Sequence, residues 1–353
     1  MMSTVETPLL SIDEEFGQIW AANDMTNQQH PALAAGTEAH ERLMKDPESG
    51  RSTLYITDVT LRDGQQQRTN EVTTAQRVEV FDRIVETGVD CIEIGHLGNS
   101  NGDQQLATAI VQHVAEREEQ DERYANVKLQ VLFGSQEELI KDGIRVLQDA
   151  FQAHYGEEWQ EAMEDKVVVH VYDALDENLL ATRSTPYGQQ ESARRVKAAS
   201  QHALDAGFRR FSLTGEAATA ASPEEAIQYY RSITQHLLAR NTNSVNINLT
   251  NTYGFSANPE WNAHVLTEVN AGVKYGFPER RVTTSIHTHN DVASAADMSI
   301  AAIVAGIDRL EGTLDGMGER AGNVATITVV DRLLEAARHQ HEEDIRAAEG
   351  KRS

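Results

Sequence analysis

The 353 residues include 40% hydrophobic side chains, enough for a full core, and 55 acidic against 31 basic residues, a formal net charge of −24 at pH 7. Nucleic acid and anionic membrane both need a basic footprint, so this balance argues against either as a partner. The single cysteine, Cys91, excludes an internal disulfide, and with no secretion signal or apolar run of about 18 residues in view a cytoplasmic protein is expected.

Residues 1–50 read as an N-terminal extension. Ser11 and Glu14 have capping-box spacing, and Ile12, Phe16, Ile19 and Trp20 then share one helical face, to be buried on the main domain or on a second subunit. Residues 23–50 are polar and read as a connecting segment. From 51 to 342 one unit recurs: a short apolar strand ending in polar residues, then a segment with helical spacing. Strands are expected at about 54–63, 91–96, 128–134, 166–173, 208–216, 246–254, 283–291 and 309–316. In 74–87, Val78, Phe81, Ile84 and Val85 form one stripe; in 192–206, Ala193, Val196, Ala199, Ala203 and Leu204 do the same. Gly88, Gly207 and Gly306 read as helix stops, and Ser222-Pro223 as a helix start. A last helix is expected over 323–339, and residues 343–353 form a polar tail. Eight such units suit a closed (β/α)8 barrel, an α/β fold, and no Gly-rich dinucleotide fingerprint follows the first strand.

In such a barrel the chemistry lies at the C-terminal ends of the strands. His287 and His289, one residue apart on strand 7, point to one face and can aim at one ion. Alone, the pair fits equally a strand end with two solvated histidines. Strand 1 ends in Arg62-Asp63, which alone could be an ordinary surface ion pair. Asp63, His287 and His289 together make a two-histidine, one-carboxylate set, and closure makes strands 1, 7 and 8 neighbours, so a divalent metal site is expected: Mg, Mn, Co or Zn. His96 ends strand 2 and His170 lies on strand 4; each could equally be a satisfied structural residue. The Gly316–Gly322 stretch is either a flexible loop or, opening a helix, an anion site.

Three motifs, Thr60-Leu61-Arg62-Asp63-Gly64-Gln65-Gln66, His287-Thr288-His289-Asn290-Asp291 and Gly316-Met317-Gly318-Glu319-Arg320-Ala321-Gly322-Asn323, resemble the signatures of the DRE-TIM metallolyase superfamily. Within it the chain looks most like the α-isopropylmalate synthase and homocitrate synthase branch, over residues 54–340. The resemblance implies Asp63, His287, His289 and Asn323 as metal ligands or near-ligands, Arg62 as the catalytic arginine, and Glu216 as a glutamate holding substrate and active-site water. It implies Thr252 as the receiver of a 2-oxo acid carboxylate, with His170 beside that pocket and Gln66 as the first motif's glutamine. Gly316, Gly318, Glu319 and Gly322 belong to the loop near the acyl-CoA. The implied reaction is a Claisen-type condensation of acetyl-CoA, or another acyl-CoA, with a 2-oxo acid, giving an alkylmalate-type acid and CoA.

Synthases of this branch continue into a helical subdomain that brings a histidine and a tyrosine over the site, and this sequence ends at Ser353. Either the sequence is a catalytic-domain fragment, or another chain supplies the lid, or the chemistry needs none; a homodimer is expected from the resemblance and from the apolar face of the N-terminal helix, and the general base is left to Glu216 or His96. Gly95-His96-Leu97-Gly98 also departs from the Gly-Phe-Pro pattern after strand 2, which suggests a polar or unusual substrate side chain. Two other readings stay open: an acyl-CoA lyase resembling hydroxymethylglutaryl-CoA lyase, which would look for a cysteine in the loop after strand 8 where this chain has Met317, and a non-catalytic oxo-acid-binding barrel. A biotin-carboxyl-transferase barrel would call for a lysine, and none lies at these strand ends.

Overall fold

The computed structural model describes residues 54–66, 72–98, 100–253, 259–278, 281–335 and 338; the N-terminal extension and the C-terminal tail lie outside the described residues. Eight parallel strands close into a barrel in sequence order, β1-β2-β3-β4-β5-β6-β7-β8, with β8 pairing back onto β1. They are β1 Tyr55–Asp58, β2 Cys91–His96, β3 Lys128–Gly134, β4 Val167–Ala174, β5 Arg210–Glu216, β6 Ser244–Asn251, β7 Val282–Thr288 and β8 Arg309–Gly312. The (β/α)8 expectation is met.

The strands alternate between two environments. Ile92, Ile94, Val131, Phe133, Val169, Val171, Phe211, Leu213, Val245, Ile247 and Ile286 belong to one buried apolar cluster with the helices. Most of their in-between neighbours, Leu132 apart, are polar, and several bond to one another across the strands. Asn246 donates to Ser212 (3.0 Å) and Ser285 (2.9 Å), and Asn248 donates to Glu311 (2.7 Å). An apolar outer face with a polar, bonded inner one is the period-2 pattern of a strand covered by helices on one side only.

Helix boundaries follow local chemistry. Thr73 and Gln76 close a capping box at the start of Thr74–Glu86, and Ser222 and Glu225 do so at Pro223–Leu238, with Pro223 in the first turn. The Gln189–Asp205 helix stops before Gly207, whose φ of 101° suits glycine. Among the described residues no helix is long and apolar enough to cross a membrane.

The departures from expectation lie at the strand ends. β1 stops at Asp58, not Asp63, because Asp58 turns the chain: its carboxylate accepts from the Thr60 N–H (2.9 Å) and hydroxyl (3.0 Å). Asp63 instead opens a one-turn helix, Asp63–Gln66. β6 ends at Asn251 and β7 at Thr288, three residues short of expectation in each case. β8 ends at Gly312 because the chain then pairs elsewhere: Thr313 donates to the Val324 carbonyl (3.2 Å), and His289 bridges Asn323. That pairing also delays the last helix, whose described part is 326–335 rather than a run starting at 323.

Candidate functional site

Asp63, His287 and His289 converge at the C-terminal mouth of the barrel, all buried, with one ligand atom from each within 4.8 Å of the others. The two Nε2 atoms are 3.2 Å apart, and His287 Nε2 is 3.7 Å from Asp63 Oδ2. Neither Nδ1 has a hydrogen-bond partner. Burial, and then the neighbouring His289 ring, push His287 down to about 3. Burial also lowers His289. Both rings are therefore neutral, with lone pairs to give.

Burial works against the charge on Asp63, but Arg62 and the two imidazoles outweigh it and hold the carboxyl well below the usual carboxylate range. Arg62 Nη1 is 2.6 Å from Asp63 Oδ2, and the Glu319 N–H donates to Oδ1 at 3.1 Å. The Arg62 guanidinium is held from behind: its Nε and Nη2 each lie 3.1 Å from Glu93 Oε2. Glu93 is fully buried and kept ionised by Arg62 and His170 in spite of that burial.

Asn323 lies beside these donors, bridged through the backbone to His289. Its Nδ2 donates to the Met317 carbonyl (3.1 Å), which fixes the amide, and its Oδ1 is buried without a partner. A Cβ at Gly318 would stand 2.1 Å from Asn323 Nδ2 and 2.9 Å from Asp63 Oδ1, so only glycine leaves room for this packing. Asp63 and the two neutral imidazoles, with one ligand atom from each within 4.8 Å of the others, are a mixed N/O donor set that suits a divalent cation. The residues present fit such an ion.

The other residues singled out by the sequence spread around the same mouth. Glu216, at the end of β5, pairs with Arg183 (2.9 Å), and burial raises its pKa against that cation. Thr252 lies just past β6, and its hydroxyl accepts from the Ala217 N–H (2.9 Å). His96 is half-buried with its ring against Tyr172 (5.6 Å between centroids), and burial lowers its pKa. Gln66 is exposed at the end of its helical turn. His170 is set deeper, in the barrel interior: Nε2 meets the Thr214 hydroxyl at 2.7 Å, and Nδ1 faces Glu93 and Gln130 at 3.1 Å each. Gly316, Gly318, Glu319 and Gly322 form a tight loop over Asp63, with a Gly322 Cβ only 2.3 Å from the Gly316 carbonyl oxygen.

Sequence reasoning gave no role to Glu93, Arg183 or Glu311. Glu93 carries a readable signal, a carboxylate between two isoleucines of a strand; Glu311, in the short strand Arg309–Gly312, carries less. Arg183 carries none, since it lies in a polar connection.

A family model described as HMGL-like matches residues 53–347. The 2-isopropylmalate synthase of Methylacidiphilum infernorum is 29% identical over 289 residues, covering 79% of this chain and 48% of that protein. A probable 2-isopropylmalate synthase of Methanopyrus kandleri is 27% identical over 280 residues, covering 79% and 47%. The chain thus spans about half the length of the curated relatives it matches. Among solved structures, HMG-CoA lyase from Brucella melitensis superposes with a TM-score of 0.54 at 17% identity, over 82% of this chain and 98% of that one. Hydroxymethylglutaryl-CoA lyase from Pseudomonas aeruginosa gives 0.54 at 18%, over 80% and 86%. At these identities the structural likeness is one of fold.

Proposed function

Because this chain belongs to the HMGL-like family, we propose that it carries out a divalent-metal-dependent Claisen-type condensation of acetyl-CoA, or another acyl-CoA, with a 2-oxo acid. The products are an alkylmalate-type 2-hydroxy acid and, after thioester hydrolysis, free CoA. The observation that carries this reading is the convergence of Asp63, His287 and His289 beside the braced cation of Arg62.

A divalent ion held there supplies Lewis-acid polarisation of a keto carbonyl. The chain's own groups do the rest. Arg62, fixed by Glu93, offers a positive charge that need not reorganise when an alkoxide develops. Thr252 offers a hydroxyl to the oxo-acid carboxylate. His96, facing Tyr172, lines the side-chain end of the pocket, and its polarity favours an oxo acid other than a purely aliphatic one. Glu216 and His96 are the candidates for taking the proton from the acyl-CoA α-carbon. Burial moves the first up and leaves the second unprotonated at neutral pH.

The relatives named 2-isopropylmalate synthase support the synthase direction. The competing lyase reading meets an obstacle in Cys91: the sole cysteine is buried in β2, where burial pushes its thiol up to about 12, and the loop after β8 carries Met317 instead.

The test is CoA release from acetyl-CoA, followed with a thiol dye, against a panel of 2-oxo acids with Mg²⁺ or Mn²⁺. Asp63→Ala is the blank. Metal-dependent release with one oxo acid, lost in the blank, supports the synthase. Silence across the panel together with cleavage of a 3-hydroxyacyl-CoA overturns it in favour of the lyase.

A further inference from the structure

Arg320 stands in the loop after β8 with φ at 56°, a left-handed conformation that an L side chain adopts at a cost. Its guanidinium reaches two neighbouring strand ends. Nε and Nη2 donate to the Asp291 carboxylate, beyond β7, at 3.0 and 3.2 Å. Nη2 also donates to the Thr252 main-chain carbonyl, beyond β6, and the cation lies 5.5 Å from the centre of the Tyr253 ring. Nη1 is 3.1 Å from the carboxylate of its own neighbour, Glu319. Two residues on, the Gly322 carbonyl accepts from the Asn290 N–H (2.9 Å), a second tie to the end of β7.

The tied segment is the one that serves the cation donors. It gives the Glu319 N–H to Asp63 and carries Asn323. Thr252, gripped at its carbonyl by Arg320, has its hydroxyl against the Ala217 N–H, next to Glu216. One planar, multi-donor side chain therefore spans the cation donors and the strand that ends in Thr252. A lysine could not make these contacts at once.

We propose that Arg320 is a positioning residue: it latches the loop of Glu319 and Asn323 onto Asp291 and Thr252, so that cation donors and substrate threonine form one rigid frame. The part concerning Thr252 rests on the proposed condensation; the part concerning the loop and the cation does not.

The test uses the full chain as wild type, Arg320→Gly, Arg320→Lys and Asp291→Asn. Amide hydrogen exchange over 316–323 and Mn²⁺ titration by calorimetry are the readouts. Arg320→Gly is expected to speed exchange across the loop and to weaken Mn²⁺ binding by roughly tenfold, as loss of an outer-shell partner does, with Arg320→Lys recovering part of it. Glycine fits φ 56° better than arginine. If the backbone conformation were all that mattered, Arg320→Gly would therefore leave exchange and Mn²⁺ affinity unchanged, and that result overturns the latch. Should Arg320→Gly fail to fold, Asp291→Asn carries the same test through the partner carboxylate. Where an oxo acid is turned over, its KM should rise in Arg320→Gly by a larger factor than kcat falls. If none is turned over by wild type, the condensation fails while the exchange data still decide the latch.

Discussion

The two sides of the barrel mouth treat their polar groups in opposite ways. At the ends of β3, β4 and β5 nearly every such group is paired. Asp173 accepts from Ser135, Tyr187 and the Ala174 N–H, Glu216 holds Arg183, and below them on β4 His170 has partners at both ring nitrogens. At the ends of β1, β7 and β8 the His287 and His289 Nδ1 atoms and the Asn323 Oδ1 are buried and unpaired. A buried polar group without a partner costs about 1–3 kcal/mol. On this side the unpaired atoms belong to residues suited to a cation, whereas on the other side protein partners hold the polar groups in place.

Substitutions can break this contrast. The largest effect should come from Asp63→Ala. Losing the charged donor should remove Mn²⁺ binding in calorimetry and lower condensation by roughly 10³-fold or more, as several kcal/mol of Lewis-acid stabilisation disappears. A variant that keeps full Mn²⁺ affinity would remove the metal reading. Next is Glu93→Ala on β2, between the two sides, which leaves Arg62 and His170 facing a buried hole. Urea unfolding should show a loss of about 3 kcal/mol, the scale of breaking a buried pair, and unchanged stability would show that Glu93 is not needed as a brace. Gly318→Ala should act in the reverse sense. Its Cβ collides with Asn323 and Asp63, so Mn²⁺ affinity should fall roughly tenfold while the unfolding midpoint hardly moves; equal affinity would mean that the loop has slack.

The smallest effect concerns pH. Asp58 is buried, and burial pushes its pKa from 3.8 up to about 7 against the bonds from Thr60. Folded protein keeps this proton where unfolded chain has released it. The resulting stability is complete below about pH 4 and is lost as pH rises through about 7. Asp58→Asn should therefore gain in thermal midpoint relative to wild type between pH 5 and pH 8. A constant difference across that range would place the Asp58 pKa near its ordinary value.

Much of this was legible in the sequence. The bounds of β2 and β3 are those expected, because each is a continuous run between clear breakers. Closure followed from counting eight units, and closure alone joins residue 63 to residues 287–289. The strand ends were over-read where bonds outside the ladder, not propensity, stop it: the Asp58 side chain turning β1 through Thr60, and the Val324 main-chain carbonyl capturing the chain after Gly312. Sequence periodicity carries no trace of such bonds. His170 reads as a mouth residue only by resemblance; its depth depends on strand register, which no local pattern encodes. The expected N-terminal helix falls outside the described residues.

The seam between β8 and β1 has one more consequence. Asp63 is among the first barrel residues to leave the ribosome, and Asn323 among the last. Every earlier strand can pair with its predecessor as it emerges, but these residues cannot meet until the final strand docks on the first. A cation cannot therefore template the early steps of folding. A cation held there would favour the finished ring over any open precursor and so support the closure of β8 on β1. Chelation should thus act as a wedge at a single joint of the protein, opening the β1–β8 contact before any other.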